Sequence, residues 1–325
     1  MTKKPSRLAA LVIAGTVTAS AATWQKLENL PVPNGGLVCG EAGGKLILIG
    51  GTNWETGAKK NWLNEVHEFD PATGHWRRLG ALPQPFAYGV GGTVGDTFIM
   101  IGGTTGAAPF TGVIQVANGK VSERPTGGVT VPAVLSAGGI IGNEVVFVGG
   151  TDDPANLKGF TQRAYAWEVS AGTIRTLPPS PGGAFGTAAS VVVDGDLYAF
   201  GGAAWDAQPP GVANLAQAMA YLPRQQKWKE LKPMPLALRG TAAVALDDRH
   251  IYLGGGHGAE EFVDQGLVYD IVADTYRPAP PLPYKSGTHL ARIGEWVYCV
   301  GGEDGFKHRS SATYRIRAAD LLGAR

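Results

Sequence analysis

Glu303 and Arg309 lie in one short run, Gly301-Gly302-Glu303-Asp304-Gly305-Phe306-Lys307-His308-Arg309. A carboxylate is a proton acceptor, and a guanidinium is a planar fork that binds a second carboxylate through parallel hydrogen bonds. Held in one loop, the two groups set a base beside an anion holder, with Lys307 and His308 adding positive charge. The same spacing also fits an ordinary surface ion pair, which contributes less than about 1 kcal/mol. Which of the two it is depends on where the loop points, and so on the elements that carry it.

Those elements are repeats. An apolar run closed by two glycines occurs six times: Leu46–Ile49 before Gly50-Gly51, Phe98–Ile101 before Gly102-Gly103, and Val145–Val148 before Gly149-Gly150. The series continues with Leu197–Phe200 before Gly201-Gly202, Ile251–Leu253 before Gly254-Gly255, and Val297–Val300 before Gly301-Gly302. The first glycines are 47 to 53 residues apart. The runs are too short and too β-branched for helices and read as buried strands. A period near 50 residues with one glycine pair per copy is that of the Kelch propeller, one four-stranded blade per repeat. Aromatic pairs at a fixed spacing agree with it: Phe69 and Trp76, Tyr221 and Trp228, Tyr269 and Tyr276. In blades two and three Val121 and Ile174 stand near the place of the outer aromatic. The expected fold is therefore all-β, a six-bladed Kelch-type propeller. Trp24-Gln25-Lys26-Leu27 reads as an outer strand without a blade of its own, and the last copy lacks one, so the N-terminal strand is expected to close the sixth blade.

Strand direction alternates along a blade, which puts the loop entering the inner strand and the loop after the glycine pair on one face. Asn53, Thr104, Asp152, Trp205, His257 and Glu303 share that face with Asn34, Phe86, Pro132, Phe185, Arg239 and Ser286. A ring of loops aimed at one channel mouth is where a rigid scaffold gathers functional groups. Only the sixth copy has a carboxylate directly after its glycines. Blade one adds a long polar loop with Trp54 and Trp62, which reads either as a wall of a binding site or as packing on the neighbouring blade.

The chain has 325 residues, with 28 basic against 27 acidic, 48 glycines and 22 prolines. Glycine and proline at that level fit a protein of many tight turns. A near-zero net charge without a basic run argues against a nucleic-acid partner. Residues 1–22 read as a secretory signal peptide: Lys3, Lys4 and Arg7, then an apolar stretch from Leu8 to Ala19, then Ala19-Ser20-Ala21 as a small-residue cleavage site. The apolar stretch is too short to span a bilayer, so no membrane association is expected after cleavage. Residues 23–325 form the propeller, in the periplasm or outside the cell. Cys39 and Cys299 fall in strands and are expected as buried thiols, and their spacing with the scattered histidines offers no metal site.

Gly302-Glu303, five residues, then Arg309-Ser310 resembles the active-site loop of the bacterial N-acetylneuraminate epimerases, the sialic acid mutarotases. Gly50-Gly51-Thr52-Asn53-Trp54 with Lys59, Lys60, Trp62 and Leu63 resembles the blade opening of the cyclically permuted branch of that family, in which the blade order is rotated along the chain. The resemblance implies an exported six-bladed propeller that interconverts the α and β anomers of a sialic acid. It implies Glu303 as proton acceptor, Arg309 as holder of the sugar's C1 carboxylate, and no metal or organic cofactor. Arg239, Trp54, Trp62, His257, Phe86 and Asn53 are further candidates for substrate contact. The alternative is a Kelch propeller without catalysis that binds a protein or a glycan.

Overall fold

Each apolar run before a glycine pair is the second strand of a four-stranded antiparallel sheet. In the computed structural model, which describes residues 23–55, 59–126, 133–153 and 155–323, there are six such sheets. The signal-peptide segment, residues 1–22, lies outside the described residues. Blade one is Val38–Ala42, Lys45–Ile49, Glu65–Asp70 and His75–Ala81. Blade five is Ala242–Ala245, His250–His257, Phe262–Asp270 and Thr275–Ala279. Blade six is Gly287–Ile293, Trp296–Gly305 and Thr313–Arg317, and its outer strand is Gln25–Lys26, paired antiparallel with Gln25 opposite Arg315 and Lys26 opposite Tyr314. The N-terminal strand thus closes the last blade, as expected. The six inner strands abut one another in a closed circle, blade six against blade one included.

The second strands do not alternate between apolar and polar because each blade is covered on both faces by its neighbours. Leu46, Ile47, Leu48 and Ile49 are at most 2 % exposed, and the matching strands of the other blades are buried in the same way. At the outside, Phe69 stacks on Trp76 and Tyr221 on Trp228, both with centroids 5.2 Å apart, and Tyr269 on Tyr276 at 4.9 Å. The aromatics at outer-strand positions also reach a linker carbonyl beside them. Trp76 Nε1 donates to Glu28 O, Trp228 Nε1 to Pro178 O, Tyr276 Oη to Lys232 O and Trp24 Nε1 to Pro281 O. In blades two and three, aliphatic Val121 opposes Val116 and Ile174 opposes Trp167 at the corresponding place.

The glycine pairs join blade to blade. The second glycine of each pair donates its N–H to a carbonyl that enters the next blade: Gly51 to Phe86, Gly103 to Ala133, Gly150 to Phe185, Gly202 to Leu238, Gly256 to Ser286 and Gly302 to Asn34, all at 2.7–2.9 Å. Both glycines of every pair have positive φ. A Cβ on Gly50 would stand 2.2 Å from Phe86 O, the carbonyl that Gly51 uses, so the residue is barred by contact as well as by backbone conformation. In blade five the left-handed pair is Gly255-Gly256, at φ 65° and 113°, one residue later than the repeat alone suggests. Gly254 instead ends the ladder, opposite Ala242.

Gly50→Ala is expected to destabilise the protein by about 3 kcal/mol or more, combining left-handed strain with the clash at the blade junction. Gly74→Ala, at φ 78° with open space where the Cβ would go, carries the strain alone and should cost about 1 kcal/mol. Denaturant unfolding of the two variants side by side separates the terms; equal losses would show that the junction carbonyl does not constrain Gly50.

Candidate functional site

The residue after each glycine pair forms a bridge to the residue that opens its own blade's inner strand. The pairs are Thr52 with Gly35, Thr104 with Ala87, Thr151 with Val134, Ala203 with Gly186, His257 with Arg239, and Glu303 with Gly287. In four blades both bridge residues are small or aliphatic and buried, whereas two adjacent blades turn an imidazole, a guanidinium and a carboxylate to the cavity. The shift of the glycine pair in blade five makes His257 the structural counterpart of Glu303. Between them opens a cavity of about 980 Å³ at the channel mouth, lined by Arg239, His257, Glu303 and Arg309 together with Lys60, Tyr88 and His289. That volume is at the upper end of the usual range for small-molecule sites.

Glu303 and Arg309 face each other across a hairpin, in register, and Arg309 Nη1 lies 2.7 Å from Glu303 Oε1. The partners are unequally exposed: the Arg309 side chain is 6 % accessible and that of Glu303 42 %. Arg309 is buried because it lies flat over Gly35, where a Cβ would come within 2.5 Å of its Cδ. Its Nε is buried without a hydrogen-bond partner. The carboxylate thus remains open to the cavity while the guanidinium braces it from behind. An exposed ion pair adds little stability, whereas a pair with one buried partner fixes the position of the other.

Arg239 lines the cavity from blade five. Its Nη1 donates to Asn214 Oδ1 at 2.7 Å, and Asn214 Nδ2 donates in turn to His257 O at 2.8 Å. Burial pushes the guanidinium's affinity for its proton down, and the negative charge of Glu303 offsets part of this. Among the described residues no carboxylate lies within ion-pair distance of Arg239, so its fork can accept an anionic ligand. His257 Nδ1 is 2.6 Å from the Gly258 carbonyl, which can only accept. Nδ1 therefore carries the hydrogen, and in the neutral ring Nε2 presents a lone pair.

The other sequence candidates divide. Phe86 is corrected: it is fully buried, 5.2 Å from Phe110 ring to ring, and cannot touch a ligand. It belongs to the row whose carbonyls receive the glycine N–H groups, one position before the rim; Leu238, and not Arg239, is its counterpart in blade five. Trp62 packs edge-on against Tyr88 at 6.0 Å and over Gly106 of blade two. Trp54 sits 5.2 Å below Lys307 Nζ, joining the blade-one hairpin to the Glu303–Arg309 hairpin. Asn53 accepts a hydrogen bond from Asn61 across its own hairpin. These three lie outside the cavity lining, and of them Trp62 packs on a residue that forms it, Tyr88. Cys39 and Cys299 are free, and burial pushes their thiols up to about 12 and about 11, so neither is a thiolate at neutral pH.

Lys60, Tyr88 and His289 are not among the contact candidates read from the sequence, although Lys60 belongs to the blade-one run that carries the resemblance. Lys60 sits in a loop with two lysines, and Tyr88 two residues beyond Phe86 has no motif around it. His289 lies on the inner strand of blade six. Burial, with the Arg309 guanidinium nearby, pushes its imidazole down to about 4.

A Kelch motif profile matches residues 33–83 and 184–235, in blades one and four. The chain is 31 % identical to the N-acetylneuraminate epimerase of Pasteurella multocida over 30 % of its own length and 33 % of that protein. It is 30 % identical to the N-acetylneuraminate epimerase of Haemophilus influenzae over 35 % of its length and 36 % of that protein. Human Kelch-like protein 33 is 31 % identical over 43 % of this chain and 26 % of its own. The matches thus span about a third or less of these relatives. The likeness to the N-acetylneuraminate epimerases is found in direct comparison as well as in the Glu303–Arg309 loop.

His289 generates a pH dependence whose sign follows from its depressed value. The unfolded chain takes up the imidazole proton near pH 6.5, the folded chain only near pH 4. Between these values the unfolded state binds the extra proton, so stability that is complete above 6.5 declines as pH falls toward 4. His289→Gln is expected to flatten this decline in melting temperature relative to the parent chain; an unchanged slope would show that His289 titrates freely.

Proposed function

We infer that the chain is a mutarotase that interconverts the α and β anomers of N-acetylneuraminate by acid–base ring opening. The observation that carries the reading is a solvent-open carboxylate, Glu303, braced by a buried guanidinium and set across from a guanidinium without an acidic partner. In the sugar acid the C1 carboxylate is attached to the anomeric carbon C2, so one cation placed near the base is enough to orient the reacting centre. Arg309 already engages Glu303, and the C1 carboxylate therefore falls to the open fork of Arg239, with His257 Nε2 available to a sugar hydroxyl. Glu303 accepts the proton of the C2 hydroxyl, the C2–O6 bond breaks, and the ring oxygen takes up a proton. The open-chain ketone then turns its face and the same steps run backwards. Neither oxidant nor reductant is consumed.

A second reading is a propeller that binds a glycan or protein without catalysis. Phe306 favours it, being 91 % exposed at the tip of the Glu303–Arg309 hairpin, where it would meet a partner first. Dissolving a crystalline anomer of N-acetylneuraminate and following its equilibration by proton NMR separates the two. The wild-type chain is expected to speed equilibration well above the buffer rate, and Glu303→Gln to lose about 100-fold or more of that gain. Binding of the sugar with no acceleration would leave the second reading.

The N-terminal basic residues and apolar stretch support export to the periplasm or beyond the cell. N-terminal sequencing of the exported protein is expected to find a start near Ala22 or Thr23, and recovery of the intact N-terminus would count against cleavage.

A further inference from the structure

Ring opening moves two protons. One leaves the anomeric hydroxyl and one arrives at the ring oxygen on the other side of C2. Glu303 serves the first, and the second needs a donor elsewhere on the cavity wall. Arg309 is held by Glu303, and His257 presents a lone pair when neutral. Tyr88 is placed for the task. Two positions before the inner strand of each of blades one to five stands a residue in the left-handed region: Gly36, Tyr88, Leu135, Thr187 and Gly240 at φ 57–66°. Of these five, Tyr88 alone carries an ionisable side chain, and a bulky residue there is uncommon. Hydrogen bonds from Tyr88 N–H to Gly36 O and from Leu135 N–H to Tyr88 O hold the backbone in place.

Its ring is drawn toward Arg309 from the opposite side. Blade one opens with Gly35-Gly36, and both are covered by neighbours. Arg309 of blade six lies over Gly35, and Tyr88 of blade two over Gly36, where a Cβ would be 2.3 Å from Cε1. Two consecutive glycines thus let side chains from the flanking blades converge above blade one. Lys60 Nζ donates to Tyr88 Oη at 2.7 Å and sits over the rings of Trp62 and Tyr88 at 4.6 and 4.8 Å. The oxygen is therefore supplied with a proton donor of its own, and the phenol O–H can turn to a ligand.

Building on the mutarotase reading, we propose that Tyr88 is the acid that protonates the ring oxygen as the C2–O6 bond breaks, with Lys60 as its positioning partner. As the ring closes, the O6 hydroxyl returns that proton to the phenolate while Glu303 returns its own to the C2 oxygen, so both groups end as they began. Burial alone would raise the phenol's pKa, but the charge and hydrogen bond of Lys60, with the charge of Arg309, bring it below its usual value. Lys60 faces the phenol from blade one and Arg309, itself paired with Glu303, from blade six. A phenolate formed at turnover is stabilised by the same cation.

The test is the NMR equilibration assay on the full chain with N-acetylneuraminate, corrected for the buffer rate, across a range of pH. Tyr88→Phe keeps the ring packing and is expected to lower kcat about 100-fold or more with KM changed only a few-fold. Lys60→Met is expected to move the alkaline limb of kcat/KM to higher pH, because the phenol then holds its proton longer. A Tyr88→Phe chain with unchanged kcat and pH profile overturns the role of Tyr88 while leaving Glu303 in place. A loss confined to KM overturns it also, since that is the mark of a binding contact. If the wild-type chain itself gives no acceleration, the function and this role fall together.

Discussion

The hydrogen bond from the second glycine of each pair to a carbonyl of the following blade occurs at all six junctions, the last of them from Gly302 back to Asn34. It sets the distance between neighbouring sheets at the channel mouth and leaves no room for a side chain on the first glycine, because the carbonyl lies where a Cβ would go. The residue after each pair is then fixed over the rim by its bridge to the inner strand. In four blades that residue is a buried threonine or alanine, and in the other two His257 and Glu303 reach the cavity from the same junction. The scaffold is repeated, and the departures from repetition carry the function.

Those departures are adjacent, which matters for catalysis of this kind. Mutarotation has a small barrier compared with most enzymatic reactions and needs no powerful nucleophile. It needs a base, an acid and an anchor held in a fixed triangle around one carbon. Arg239 and His257 come from blade five, Glu303 and Arg309 from blade six, and Lys60 and Tyr88 from blades one and two. Consecutive members of the circle supply all of them, so the site occupies a sector of the mouth and leaves the side lined by blades three and four to Leu135, Thr187 and other uncharged residues.

The fold was legible because its signals are local and repeated. Paired glycines after apolar runs gave blade number and order, the Phe69–Trp76 type of spacing gave the third-to-outer strand pairing, and an unpaired outer strand at Trp24–Leu27 gave the closure. The Glu303–Arg309 pair was legible for the same reason, since both residues sit on one hairpin. Contacts between blades were not. The period could not tell Gly254-Gly255 from Gly255-Gly256, because three glycines stand in a row and only φ distinguishes them. Phe86 was one position away from the rim, and a one-residue shift moves a side chain from solvent to core. Tyr88, Lys60 and Arg309 meet over Gly35 and Gly36, and no spacing along the chain encodes a meeting of three separate segments.

The sixth blade is stitched from segments almost three hundred positions apart, Gln25–Lys26 lying against Thr313–Arg317. Its sheet is the one that bears the carboxylate hairpin, and its inner strand and glycine junction clasp blade one on the far side. The strand that shuts the circle and the hairpin that carries Glu303 are thus members of one sheet.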